Sequence, residues 1–346
     1  MKKFLSFFII FIFGAGFGFY SPKLVKLYNK KQNEIKFTNY DTKNIDQSKK
    51  TVKVRMVNSS YIEYPIKTIH YILEEKFNVK YVYDDSYDIL INQPLHHNEY
   101  NFKENAVKIF FTGESITPDI EKYDLSIGFD YIDHKKYIRI PLVFMDYFSA
   151  LKTENLKNIS PKYNREEKFS KCNPSKEYFA CFLVSNGSYK AGAQERIELF
   201  HHLSLYKKVA SGGLFLNNIG KVVPFDESLD FLSKCKFTIA YENNSKYPGY
   251  ITEKLYQAYL AGSVPIYNGH KTVLSDINKS AIIYSGDFAN TEELVDHIKK
   301  IDQDDETYCK IWNENLFTND DMSYDAVYKR LQKKIYEVLD EKLILK

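Results

Sequence analysis

Glu242, Asn243, Tyr250, Glu253 and Lys254 crowd one polar loop and the helical turn that follows it. Short apolar runs at 237–241 and 264–267 flank them, of the kind a parallel sheet buries on both faces. Between the runs, Thr252 is placed to cap a helix and Gly262 to stop it. Leu255, Ala258 and Tyr259 supply the packing face of that helix. A helix start just past a strand end offers free N–H groups and a partial positive charge. With Lys254 beside it, the chemistry on offer is the binding of a diphosphate.

The same residues carry a resemblance. Tyr241-Glu242-Asn243, then Tyr250-Ile251-Thr252-Glu253-Lys254, then Ala261-Gly262-Ser263-Val264-Pro265-Ile266 resemble the signature of the α1,3-fucosyltransferases, the inverting glycosyltransferase family 10. That family runs F-E-N-S, a short spacer, Y-[IV]-T-E-K and a V-P-[IV] strand. Tyr241 replaces the usual Phe, and the spacer is longer, with Asn244 ahead of Ser245. Upstream, Thr112-Gly113-Glu114 and Gly128-Phe129-Asp130 match the family's T-G-E and G-F-D segments. The matched motifs span roughly residues 105–270.

The resemblance implies Glu114 as the general base that takes the proton of an acceptor hydroxyl. Such a group is needed because a sugar hydroxyl is a weak nucleophile. Glu114 follows a predicted strand, after a glycine that lets the backbone turn. It implies Arg196 on the donor diphosphate, where a planar guanidinium binds phosphate oxygens in pairs. It also places Asn243, Tyr250, Glu253 and Lys254 around the donor. The implied reaction is inverting transfer of L-fucose from GDP-fucose to a GlcNAc-containing glycan, through an α1,3 linkage. A related transferase with another sugar or linkage, an inactive glycan-binding protein of the same fold, and a membrane-tethered interaction protein stay open as alternatives.

The elements that must position these residues divide into two α/β units. The first, over 51–150, alternates strands at 51–57, 87–92, 107–112 and 125–129 with a helix at 66–77. A polar stretch at 151–175, interrupted by Pro161 and Pro174, reads as a linker. The second unit, 176–346, opens with a buried strand at 178–185 and a helix at 193–207 carrying Arg196. Further helices are expected at 225–235, 291–301 and 322–345, the last free to pack back on the first unit. Two Rossmann-like domains facing across a cleft form the GT-B arrangement, which the resemblance also implies. The first would be the acceptor side and the second the GDP-fucose side.

At 346 residues the chain is long enough for two such domains. Residues 1–50 hold ten Lys against Glu34, Asp41 and Asp46, a balance of +7 out of a total of +3. The body is therefore acidic, which argues against nucleic acid as a partner. Residues 4–20 form an uncharged apolar run, read as a single-pass membrane anchor. The expected location is a membrane, Golgi in a eukaryote or inner membrane in a bacterium. Residues 21–50 read as a basic stem.

Cys172, Cys181, Cys235 and Cys309 show no C-x-x-C spacing, and Cys181 and Cys235 are expected as buried thiols rather than bridges. Asp302-Gln303-Asp304 is the one D-x-D pair, and it reads as part of a solvated helix-end cluster. No metal-binding residue is assigned and no obligatory cofactor expected, although an Mn2+ or Mg2+ carried by the donor remains compatible.

Overall fold

The computed structural model describes residues 41–58, 63–94, 102, 105–142, 144–145, 171–185, 187, 193–224, 227–317 and 324–344. The apolar run at 4–20 and most of the stretch at 151–175 lie outside these residues. Among the described residues, no helix is long and apolar enough to cross a membrane.

The first sheet holds β1 (Thr51–Val57), β2 (Asn78–Tyr81), β3 (Ile89–Asn92), β4 (Val107–Phe111), β5 (Leu125–Gly128) and β6 (Tyr137–Arg139). All six run parallel, in the order β2-β1-β3-β4-β5-β6. Helix α1 (Glu63–Lys76) links β1 to β2. The second sheet holds β7 (Tyr178–Phe182), β8 (Val209–Ser211), β9 (Cys235–Tyr241), β10 (Val264–Asn268) and β11 (Ile283–Tyr284). These also run parallel, in the order β11-β10-β9-β7-β8. Its helices are α2 (Ala193–Tyr206), α3 (Ser228–Leu232), α4 (Glu253–Leu260), α5 (Thr291–Asp302) and α6 (Asp305–Asn313). A last helix, α7 (Tyr324–Leu339), continues into a π turn at Asp340–Ile344.

Every residue of β9 is buried, as its unbroken apolar run requires of a central parallel strand. In the second sheet the chain leaves β7 toward β8 on one side and β9 toward β10 on the other. That makes the gap between the carboxyl ends of β7 and β9 the topological switch point, the place where open α/β sheets take ligands.

Helix α4 stops as its sequence dictates. Gly262 adopts φ +68°, its N–H reaches the Tyr259 carbonyl at 3.0 Å, and the Ser263 N–H reaches that of Ala258 at 3.1 Å. Its start differs from expectation. Thr252 has extended backbone at the N-cap position, but its side chain caps no helix N–H. The hydroxyl instead donates to the buried Glu242 carboxylate at 2.7 Å, a charge-assisted bond, and accepts from Lys254 at 3.0 Å.

The two sheets are joined by a buried rivet. Arg139, at the end of β6, binds Asp276 through both terminal nitrogens, at 2.6 and 3.1 Å. Its Nε donates to the Phe129 carbonyl at 2.8 Å and Nη2 to the Gly249 carbonyl at 3.0 Å. Tyr131 covers the guanidinium, with 4.2 Å between Cζ and the ring centre. Gly249 has φ +75°, and a Cβ there would lie 2.1 Å from the Phe129 carbonyl oxygen. Only glycine lets the two backbones approach this closely.

Helix α7 returns to the first sheet. Val327, Leu331, Ile335 and Leu339 join the core that also holds Ile69, Ile72 and Leu73 of α1. The Tyr336 hydroxyl donates to the Ile72 carbonyl at 3.1 Å, and Lys342 pairs with Asp124 at 2.7 Å.

Two readings of the sequence are corrected here. Residues 41–50, assigned to a flexible stem, are tied to the first sheet. Asn78 donates to the Asp46 and Lys49 carbonyls at 2.8 and 2.9 Å, and Asp41 accepts from the Tyr81 N–H at 2.8 Å. The cysteines are not thiols: Cys181 bonds Cys235 and Cys172 bonds Cys309. Cys181 lies on β7 and Cys235 on the neighbouring β9, with 5.7 Å between their Cα atoms despite 54 residues of separation. The other bond fastens the start of the second domain to α6 across 137 residues. Serine in place of both Cys172 and Cys309 is expected to cost about 2–4 kcal/mol of stability. Urea unfolding with and without reductant checks it: a reductant-insensitive midpoint in the wild type would count against the bond.

Candidate functional site

The polar residues of the signature converge at the switch point. Glu242 directly follows β9 and is fully buried. Its carboxylate accepts from the Thr252 N–H at 2.8 Å and the Thr252 hydroxyl at 2.7 Å, and the Tyr267 hydroxyl lies 3.5 Å away. Burial pushes its pKa up to about 6, against the opposing pull of Lys254 and the two Thr252 hydrogen bonds.

Lys254 lies in the first turn of α4. Its ammonium contacts the Thr252 hydroxyl at 3.0 Å, Glu253 at 3.2 Å and Glu242 at 3.8 Å. Burial works against its charge, but the Glu253 and Glu242 carboxylates outweigh that, so its pKa stands above the ordinary value. Arg196, in the first turn of α2, is 2% exposed and donates from Nη1 to Asn243 Oδ1 at 2.7 Å. Burial lowers its pKa and Glu242 raises it, with a net fall. Two cations and two carboxylates thus form one largely buried cluster. The arrangement leaves Lys254 and Arg196 poised for an anion that can compete with Glu253 and Glu242.

On the opposite sheet, Glu114 lies half-buried in the turn after β4. The Thr112 hydroxyl shapes that turn, accepting from the Glu114 N–H at 3.0 Å and donating to its carbonyl at 3.2 Å. The next residue, Ser115, accepts from Asn244 Nδ2 at 3.1 Å, so the turn touches the loop that leads into α4. The turn that carries Glu114 on one sheet is therefore bonded to the loop that leads into the cationic cluster on the other.

Comparison with known proteins decides the family. Residues 173–333 match the model described as glycosyltransferase family 10 (fucosyltransferase), C-terminal part. Residues 54–147 match the alpha-(1,3)-fucosyltransferase FucT N-terminal domain. The chain belongs to glycosyltransferase family 10. Among its relatives in family 10 is a putative fucosyltransferase of Acanthamoeba polyphaga mimivirus, 32% identical over 75% of this chain and 42% of that protein. Another is the alpha-(1,3)-fucosyltransferase FucT of Helicobacter pylori, 31% identical over 64% of this chain and 50% of that protein. The chain thus spans half or less of the length of these relatives. A crystal structure of an alpha1,3-fucosyltransferase with GDP aligns over 88% of this chain and 95% of that one, with a TM-score of 0.67 and 24% identity. That likeness establishes the shared two-sheet fold.

Within this family-10 fold, Arg196, Asn243, Glu253 and Lys254 lie together at the end of β9 and the start of α4. Tyr250 is placed differently: its ring is buried between the sheets, edge-on to Phe129 with 4.9 Å between ring centres. Its position makes it interdomain packing as well as a neighbour of the loop. Glu242, to which the motif assigns no role, is the hub of the cluster. Its place directly after an apolar strand, where a buried charge must be paired, is the signal that marks it.

No group of three His, Cys, Asp or Glu side chains among the described residues is arranged to hold a metal. The D-x-D pair serves the fold. Asp302 is not solvated: it binds Lys207 at 2.5 Å, Lys236 at 3.3 Å and the Tyr206 hydroxyl at 3.0 Å, where the ends of α2 and α5 meet the start of β9. Asp304 caps α6 through the Glu306 and Thr307 N–H groups, both at 3.1 Å.

Proposed function

We propose that the protein transfers L-fucose from GDP-fucose to a hydroxyl of a GlcNAc-containing glycan, with inversion, through an α1,3 linkage. The observation that carries this reading is the placement of Arg196 and Lys254 at the switch point of one sheet, with the Glu114 turn of the other bonded to the loop between them. Similarity to relatives named as an alpha-(1,3)-fucosyltransferase and a 3-alpha-L-fucosyltransferase supports the sugar and the linkage, and the alpha1,3-fucosyltransferase fold solved with GDP-fucose supports the donor.

The acceptor oxygen attacks C1 of the fucose while the bond from C1 to the phosphate oxygen breaks. The electron pair leaves with GDP, and the acceptor proton passes to Glu114. Arg196, Lys254 and the N-terminus of α4 stabilise the charge that builds on the diphosphate. One displacement needs no covalent sugar intermediate, so a single carboxylate suffices. Residues 4–20 are proposed to anchor the enzyme in a membrane, which membrane fractionation of the full chain would test.

The test is GDP release from GDP-fucose with and without N-acetyllactosamine, with the anomeric configuration of the product read by NMR. Acceptor-dependent release and an α-linked product are expected. Binding of GDP without turnover would overturn the acceptor assignment, and a folded protein that fails to bind GDP would overturn the whole reading.

A further inference from the structure

The loop between β9 and α4 reaches the first sheet at two points, one on Ser115 next to Glu114 and one on Thr117 and Asp130. Asn244, the residue that lengthens the family spacer, donates to Ser115 Oγ at 3.1 Å. Tyr247 donates its hydroxyl hydrogen to the Asp130 carboxylate, with oxygen separations of 2.7 and 2.8 Å. The same hydroxyl lies 2.8 Å from Thr117 Oγ1, which is itself 3.1 Å from Asp130 Oδ1. Burial, and then the Asp130 carboxylate, raise the Tyr247 pKa, so the phenol keeps the proton it donates.

The segment from Glu114 to Thr117 is therefore held at three points. Thr112 fixes its backbone from the β4 side, Asn244 fixes Ser115, and Tyr247 fixes Thr117. The last two holds come from the same loop that ends at Lys254. The bond to Asp130 is charge-assisted and so belongs to the stronger class of hydrogen bond. Tyr247 also packs on Tyr250, 6.3 Å between ring centres, and Tyr250 packs on Phe129 beside Asp130.

We propose that Asn244 and Tyr247, with Asp130 as the anchor of the latter, are positioning residues that set the distance between the Glu114 carboxylate and the donor. The proposal rests on the transferase reading above. In that reading the base and the leaving group sit on different sheets; the Arg139–Asp276 rivet ties the sheets at the end of β6, and the loop ties the segment that carries Glu114 itself. The loop makes that separation a property of a short hydrogen-bonded strut.

Tyr247→Phe and Asn244→Ala test it, each alone and combined with Glu114→Gln. Tyr247→Phe removes one oxygen and keeps the ring, so the fold should hold, which the thermal midpoint confirms. The expected result is a fall of about tenfold in acceptor-dependent kcat for Tyr247→Phe, since small displacements of a reacting group carry large rate costs. GDP affinity by calorimetry should stay within about twofold, because the strut touches no phosphate-binding group. In the Glu114→Gln background the residual rate should be insensitive to Tyr247→Phe, as expected of residues that act through one another. A purely structural role would give additive losses in the double variant, and that overturns the proposal. An inactive Glu114→Gln enzyme beside Tyr247→Phe and Asn244→Ala variants at wild-type rates would also overturn the strut, while leaving the transferase reading in place. A wild-type protein without acceptor-dependent GDP release overturns the reading and the strut together.

Discussion

Glu114→Gln is expected to lower acceptor-dependent GDP release by about 10²–10⁴-fold, the usual worth of a positioned general base. The amide fills the same space and keeps the turn that Thr112 builds from backbone bonds, so the loss isolates proton acceptance from shape. GDP affinity should be unchanged, because the donor contacts proposed for Arg196 and Lys254 lie on the other sheet. The discriminating measurement is therefore a pair: kcat by coupled GDP assay and the dissociation constant of GDP by calorimetry. A variant that keeps a tenth or more of wild-type kcat would remove Glu114 from the role of base. A variant that loses GDP binding would move it to the donor side of the cleft.

Glu242→Ala is expected to destabilise the protein by about 3–5 kcal/mol, the range for breaking a buried charged pair. The carboxylate is fully buried, and its removal strips the Thr252 N–H and hydroxyl of their acceptor and leaves Lys254 with Glu253 alone. Glu242→Gln separates charge from shape through pH. The folded-state pKa of about 6 lies above the ordinary 4.5, so the folded protein holds this proton more tightly than the unfolded chain. The stabilisation is fully present below pH 4.5 and is lost as pH rises through 6. Its size is about 2 kcal/mol at 1.36 kcal/mol per unit. Glu242→Gln carries no such proton. Urea unfolding should therefore show the wild type gaining on this variant as pH falls from 6.5 to 4.5, and parallel profiles would refute the buried-charge account.

What could be read from the chain follows from where the information lies. The run from β9 through α4 to β10 was legible because one contiguous stretch carries both the burial pattern and the polar cluster. Helix α2 was placed within a residue at its C-terminal end, by an apolar spacing that needs no partner to be recognised. The strands β2, β6, β8 and β11 were missed as separate strands, being only two to four residues long and defined by the neighbour they pair with. Helix α6 escaped notice because its capping aspartate was read as part of an acidic run. Residues 41–50 look like a tether by composition, yet side-chain bonds from Asn78 and Glu74 order them, a signal with no periodicity. The same holds for Asp130 and Tyr247, whose bond spans 117 residues, and for both cysteine pairs.

Helix α7 gives the chain an unusual order of completion. Its apolar face fills the core of the sheet built from the opening residues of the folded body, so the earliest strands synthesised wait for the last helix. The nascent first domain leaves the ribosome with the Ile69, Ile72 and Leu73 layer lacking its final cover. Vectorial folding, one domain finished before the next begins, is closed to this topology. Loss of the final two dozen or so residues would thus strike the first sheet, at the far end of the sequence, and leave the strands of the second sheet comparatively intact. A stop codon near the end of the message is, for this protein, a lesion at its beginning.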